Sequence, residues 1–114
     1  GLNYGHTFGH IIELLGNYTE FLHGEAVALG IIKANALALK LGAITSDDAN
    51  RIKNLLAQND LPIDYAVSDK NDFYAKFYAD KKSQNNILRF VIPRGIGDMQ
   101  IIENPPKETI LEIL

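Results

Sequence analysis

A mainly α fold, a helical bundle domain with one small β-hairpin, is what the sequence predicts, and three observations carry it. The run from Gly24 to Leu41 is apolar on nearly every side of a helix, a pattern that belongs in the middle of a bundle. Apolar residues recur at helical spacing in the stretches before and after it. Only one later stretch, Ile87 to Ile92, has the composition of a strand, and a glycine-containing turn follows it.

Taken in order, Leu2 to Leu15 reads as the first helix, with Phe8, Ile11, Ile12, Leu14 and Leu15 as its apolar positions and Gly16-Asn17 as its stop. Gly5 and Gly9 each cost such a helix about 1 kcal/mol relative to Ala, so a neighbouring helix or a ligand must approach closely there. The second helix, Gly24 to Leu41, is interrupted in its later part only by Lys33, Asn35 and Lys40, and Gly42 ends it. Thr45 or Ser46 caps a third, where Asp47 and Asp48 suit the positive end of the helix dipole. Its stripe of Ile52, Leu55 and Leu56 is one-sided, which makes it peripheral, and Asn59-Asp60-Leu61-Pro62 breaks it.

Ser68 or Asp69 opens a turn before a fourth helix, Asp72 to Lys82, whose expected contacts are Phe73, Phe77 and Tyr78. A polar loop, Ser83 to Asn86, leads to the strand Ile87 to Ile92, bounded by Pro93. Arg94 to Asp98 gives a turn, Met99 to Ile102 a second strand, and Pro105-Pro106 separates this hairpin from a closing helix, Lys107 to Leu114. Gly95-Ile96-Gly97 is too short and too late for a dinucleotide fingerprint.

With 114 residues, 46% of them hydrophobic and 22% charged, the chain has room for one small domain with a real core. A formal charge of −3 leaves no cationic stripe, which argues against nucleic acid and anionic membrane as partners. The absence of cysteine excludes a disulfide scaffold and thiolate zinc sites. No stretch reaches the roughly 18 apolar residues of a spanning helix, and no basic segment precedes an apolar run at the start, so the chain reads as cytoplasmic.

All three histidines fall between His6 and His23. On a helix His6 and His10 share one face, with Glu13 three residues further along the same stripe. His23 follows the interruption Gly16 to Thr19 and opens the second apolar segment, so two helix ends can bring it back beside the first pair. Imidazoles on adjacent helices suit Zn²⁺, which binds nitrogen and carboxylate and keeps a position open when it is catalytic. Spacing alone leaves open whether two or all three histidines hold an ion, and whether any does.

The strings LNYGHTFGHIIE (Leu2 to Glu13) and HGEAVALGI (His23 to Ile31), followed by DKK (Asp80 to Lys82) and LRFVIP (Leu88 to Pro93), resemble the carboxy-terminal domain of the 3-dehydroquinate synthases, a family of sugar-phosphate cyclases. The resemblance runs nearly end to end. It implies the α-helical domain of that fold and a fragment lacking the amino-terminal NAD-binding domain, since Gly1-Leu2 lies inside the motif. It also implies that His6 and His23 are metal ligands for Zn²⁺, or another divalent ion such as Co²⁺, with a third ligand, a glutamate, on the absent part. By the same resemblance His10 is the catalytic group that helps proton transfer, and Asn3 with Lys81 or Lys82 binds substrate. Glu13 and Glu25 are then expected to orient imidazole N–H groups rather than to ligate.

The implied reaction converts a phosphorylated keto acid, 3-deoxy-arabino-heptulosonate 7-phosphate, into 3-dehydroquinate and phosphate, with NAD⁺ used catalytically and a homodimer as the working unit. A metal gripping adjacent hydroxyls acidifies the one to be oxidised, a histidine relays a proton at working pH, and a lysine pairs with an anionic group. The fragment alone is expected to bind zinc weakly and not to catalyse. One departure stands out: Asn85-Asn86 occupies the loop after DKK, where the family commonly has a glycine. The competing readings are another sugar-phosphate cyclase, a metal-dependent polyol dehydrogenase of the same architecture, and a non-catalytic helical module with structural histidines.

Overall fold

The structure, a computed structural model, describes residues 4–95 and 97–114. Its elements are α1 (His6–Leu15), α2 (His23–Lys40), α3 (Ser46–Gln58), α4 (Lys70–Lys82), β1 (Arg89–Pro93), β2 (Met99–Glu103) and α5 (Lys107–Ile113). The first helix begins at His6 rather than at Leu2, because Gly5 before it takes left-handed backbone; Leu2 and Asn3 themselves lie outside the described residues. Among those described, no helix is long and apolar enough to cross a membrane.

The alanine-rich α2 is the spine, packing against α1, α3, α5 and β1. Its contact with α1 explains the glycines. Gly5 takes φ +83°, a conformation L side chains rarely adopt, and a Cβ there would meet Val27 O at 2.8 Å. A Cβ on Gly9 would meet Ala26 O at 3.0 Å, and one on Gly30 would meet Gly5 O at 2.0 Å. The close neighbour at Gly5 and Gly9 is therefore a helix.

Phe8 of α1, Phe77 of α4 and Phe90 of β1 meet at the centre of the core. Their ring centroids are 5.5 Å apart for Phe8 and Phe77, 4.9 Å for Phe8 and Phe90, and 5.4 Å for Phe77 and Phe90. Tilted and edge-on pairs at these distances each add about 0.5–1.5 kcal/mol beyond their burial. This cluster fixes α1, α4 and β1 against one another, and those three elements supply most of the lining of the cleft described below.

Several sequence expectations shift by a turn or a face. The α3 cap does not: Thr45, one of the two residues expected there, exchanges hydrogen bonds with Asp48. Leu55, expected in the buried stripe, is 59% exposed, because α3 packs on α2 alone and only a narrow strip of it is covered. Asp69 accepts from the Asp72 N–H at 2.9 Å, so α4 begins at Lys70 rather than Asp72. Tyr74, not Tyr78, is buried beside Phe73 and Phe77, since α4 is covered by α5 as well as α1; Tyr78 is 52% exposed.

The hairpin is antiparallel with Phe90 opposite Ile102 and Arg89 opposite Glu103. Its first strand starts two residues later than expected because Asn104 binds Leu88 instead, its side chain accepting from the Leu88 N–H and its own N–H donating to the Leu88 carbonyl. Pro93 fits because a two-stranded sheet has only edges, where a missing N–H need not break the ladder.

Lys33 and Asn35, which break the apolar run of α2, are nevertheless buried. Burial, and secondarily Lys70, lowers the Lys33 pKa, and its Nζ donates to the Leu114 carbonyl at 3.2 Å. The Tyr4 hydroxyl is also buried, without a hydrogen-bond partner among the described residues, and burial raises its pKa. A phenol with a raised folded pKa contributes stability that is whole below about pH 10 and is lost as the pH climbs beyond it. Tyr4→Phe is expected to flatten that alkaline decline in urea unfolding followed between about pH 8 and 11. An unchanged slope would mean that the phenol ionises as it does in the unfolded chain.

Candidate metal and substrate site

The helical register of α1 places His6, His10 and Glu13 on one stripe, as the spacing predicts. The turn after α1 then brings the start of α2 back against it. That turn is held by the Tyr18 N–H donating to the Glu13 carbonyl at 2.9 Å. The rings of His6 and His23 come within 5.8 Å, centroid to centroid, tilted by 55°. Metal–nitrogen bonds of about 2.0–2.1 Å put two imidazoles on one ion roughly 5–6 Å apart, so this pair fits a shared divalent cation. Among the described residues no group of three or more His, Cys, Asp or Glu side chains is arranged to hold a metal, so such an ion needs ligands beyond these two.

Glu13 Oε1 lies 3.0 Å from His23 Nδ1. Glu25 does something else: its carboxylate accepts from the Leu22 N–H at 2.9 Å and closes the start of α2, so the expectation that it orients an imidazole is corrected. Backbone at a helix start is short of acceptors, and Glu25 supplies one.

Beside His6 opens a cleft of ≈ 350 Å³ lined by His10, Asp80, Lys81, Gln84 and Arg89 among others. Lys81 faces it and Lys82 is not part of its lining. The Lys81 ammonium also stands over the Tyr78 ring at 5.1 Å. Asp80 Oδ1 is 3.8 Å from His10 Nε2, both side chains being nearly half exposed. The loop beyond α4 needs left-handed backbone, and Asn85 and Asn86 supply it with φ of 57° and 61°; asparagine tolerates this region better than other non-glycine residues. Their fold lets the N–H groups of Gln84 and Asn86 donate to the Lys81 carbonyl, so the loop without glycine still closes.

Asp80, Gln84 and Arg89 line the cleft although sequence reasoning assigned none of them to it. Alternation with buried Phe90 and Ile92 places Arg89 on the opposite strand face, yet nothing in the spacing says that this face borders His10. The contact that brings it there is tertiary: Thr7 Oγ1 donates to the Arg89 carbonyl at 3.0 Å, tying the first turn of α1 to β1.

The family profile described as 3-dehydroquinate synthase C-terminal matches residues 1–83. The chain belongs to this family. Among curated proteins, the 3-dehydroquinate synthase of a Nitratiruptor species is 50% identical over 113 residues, covering 99% of this chain and 32% of that protein. The 3-dehydroquinate synthase of Helicobacter pylori (strain HPAG1) is 51% identical over 114 residues, covering 100% and 33%. The chain thus spans about a third of the length of these relatives.

Among solved structures, ValA (2-epi-5-epi-valiolone synthase) from Streptomyces hygroscopicus subsp. jinggangensis 5008, with NAD⁺ and Zn²⁺ bound, superposes with a TM-score of 0.84 at 25% identity, over 96% of this chain and 30% of its own. A 2-deoxy-scyllo-inosose synthase complexed with carbaglucose-6-phosphate, NAD⁺ and Co²⁺ gives 0.68 at 27% identity, over 96% and 34%. The helical fold with its small hairpin is accordingly the one this synthase family uses.

Proposed function

We propose that this chain is the metal- and substrate-binding part of a 3-dehydroquinate synthase, working with an amino-terminal NAD-binding part that it does not include. The observation that carries the reading is the approach of His6 and His23 to 5.8 Å at the edge of a cleft that also holds His10 and Lys81. His6 and His23 hold the divalent ion, zinc or cobalt, as bound in the two related synthases. When bound, that ion acidifies a substrate hydroxyl and orients it for hydride transfer to NAD⁺. His10 accepts or relays a proton, with the Asp80 carboxylate 3.8 Å from its Nε2 to favour one ring orientation. Lys81, as a compact charge facing the cleft, takes an anionic group of the phosphorylated keto acid.

The test is turnover. The full-length protein supplied with NAD⁺, zinc and 3-deoxy-arabino-heptulosonate 7-phosphate should release phosphate and form 3-dehydroquinate, and the 114-residue chain alone should do neither. A product from a different heptulose phosphate would reassign it to another cyclase. Lys81→Met should raise KM by about 10–100-fold, the loss of one charge-assisted hydrogen bond, whereas Lys82→Met should leave it within about twofold. Equal effects of the two substitutions would detach the cleft from substrate binding.

A further inference from the structure

We infer that Glu13 is the positioning residue of the metal site: it holds the proton of His23 on Nδ1 and so commits Nε2 as the atom that binds the ion. The inference rests on the reading of His6 and His23 as ligands and adds to it the ring nitrogen and the residue that selects it. An ionised carboxylate has no proton to give, so the 3.0 Å contact between Glu13 Oε1 and His23 Nδ1 requires an N–H on that nitrogen. In a neutral imidazole the only remaining lone pair is then on Nε2. Coordination through Nδ1 would break the Glu13 bond.

The surroundings show why such a bond is needed. The His23 side chain is 68% exposed, at the first residue of α2, so packing does little to hold its ring. Glu13 is only 15% exposed and lies in the last turn of α1, next to the buried Ile11 and Ile12. The rigid partner thus orients the loose one. Its backbone takes part as well: the Glu13 carbonyl accepts from the Tyr18 N–H, fixing the turn that delivers His23 to its place between Glu13 and His6. Carboxylate partners of metal-bound histidines generally contribute about 10–100-fold to metal affinity.

The experiment is zinc competition against a chromophoric chelator on full-length protein carrying Glu13→Ala, Glu13→Gln or His6→Ala, with the fold of each metal-free variant checked by circular dichroism. Glu13→Ala should weaken zinc binding by about 10–100-fold. Glu13→Gln, whose amide oxygen still accepts from Nδ1–H, should recover most of that loss. Nitrogen-15 NMR of the zinc-loaded protein should show His23 protonated at Nδ1 and metallated at Nε2. Wild-type affinity in a folded Glu13→Ala protein, or metal on Nδ1, overturns the inference while leaving the two-histidine site standing. Wild-type zinc affinity in His6→Ala removes the site itself, and the inference with it.

Discussion

Gly30→Ala is expected to cost about 3 kcal/mol or more, enough to lower the thermal midpoint by more than about 10 °C. A Cβ there would stand 2.0 Å from Gly5 O and 2.7 Å from Gly9 N. Overpacking usually costs about 1–3 kcal/mol when a side chain can swing aside. Here both obstacles are backbone at the start of α1, so relief requires the two helices to separate, and the cost falls at or above the top of that range. Gly24→Ala is the internal control, since nothing lies within 4 Å of its Cβ position. In an exposed helical position that change should be neutral or stabilising by up to about 1 kcal/mol. Equal midpoints for the two variants in a thermal melt would contradict the helix contact. The same substitution reaches the site, because Gly5 directly precedes His6: a Gly30→Ala protein that still folds should hold zinc less tightly.

How much of this was legible in the sequence depends on the range of the interaction involved. The spine helix, the α3 cap and the stripe of His6, His10 and Glu13 follow from local periodicity and local hydrogen-bonding chemistry, which a single chain displays. The glycines at 5 and 9 announced a close approach but not to what, since Gly30 lies far along the chain and carries no mark of its role. Tyr74 and Tyr78 are both aromatic and only one is buried; the choice is made by α5, which packs from the other end of the sequence. Arg89 and Asp80 reached the cleft the same way, through the Phe8, Phe77 and Phe90 cluster and the Thr7 bond. The proximity of His23 to His6 is the intermediate case, because a short turn between two helices limits where the second can begin.

The histidines separate by role in the second large expected effect. His6→Ala and His23→Ala in the full-length protein should each weaken zinc binding by more than about 100-fold, beyond the range lost with an orienting partner. His10→Ala should leave zinc affinity nearly unchanged and lower turnover by about 10²–10⁴, the range of a lost general acid or base. The contrast is informative because His6 and His10, one helical turn apart, could by spacing alone chelate an ion without help from α2. The geometry favours the pairing across helices: the rings of His6 and His23 stand 5.8 Å apart, and His10 Nε2 turns toward Asp80. A metal retained by His23→Ala and released by His10→Ala would place the ion on α1 alone. The turn that returns α2 to Glu13 would then serve the fold rather than the chemistry.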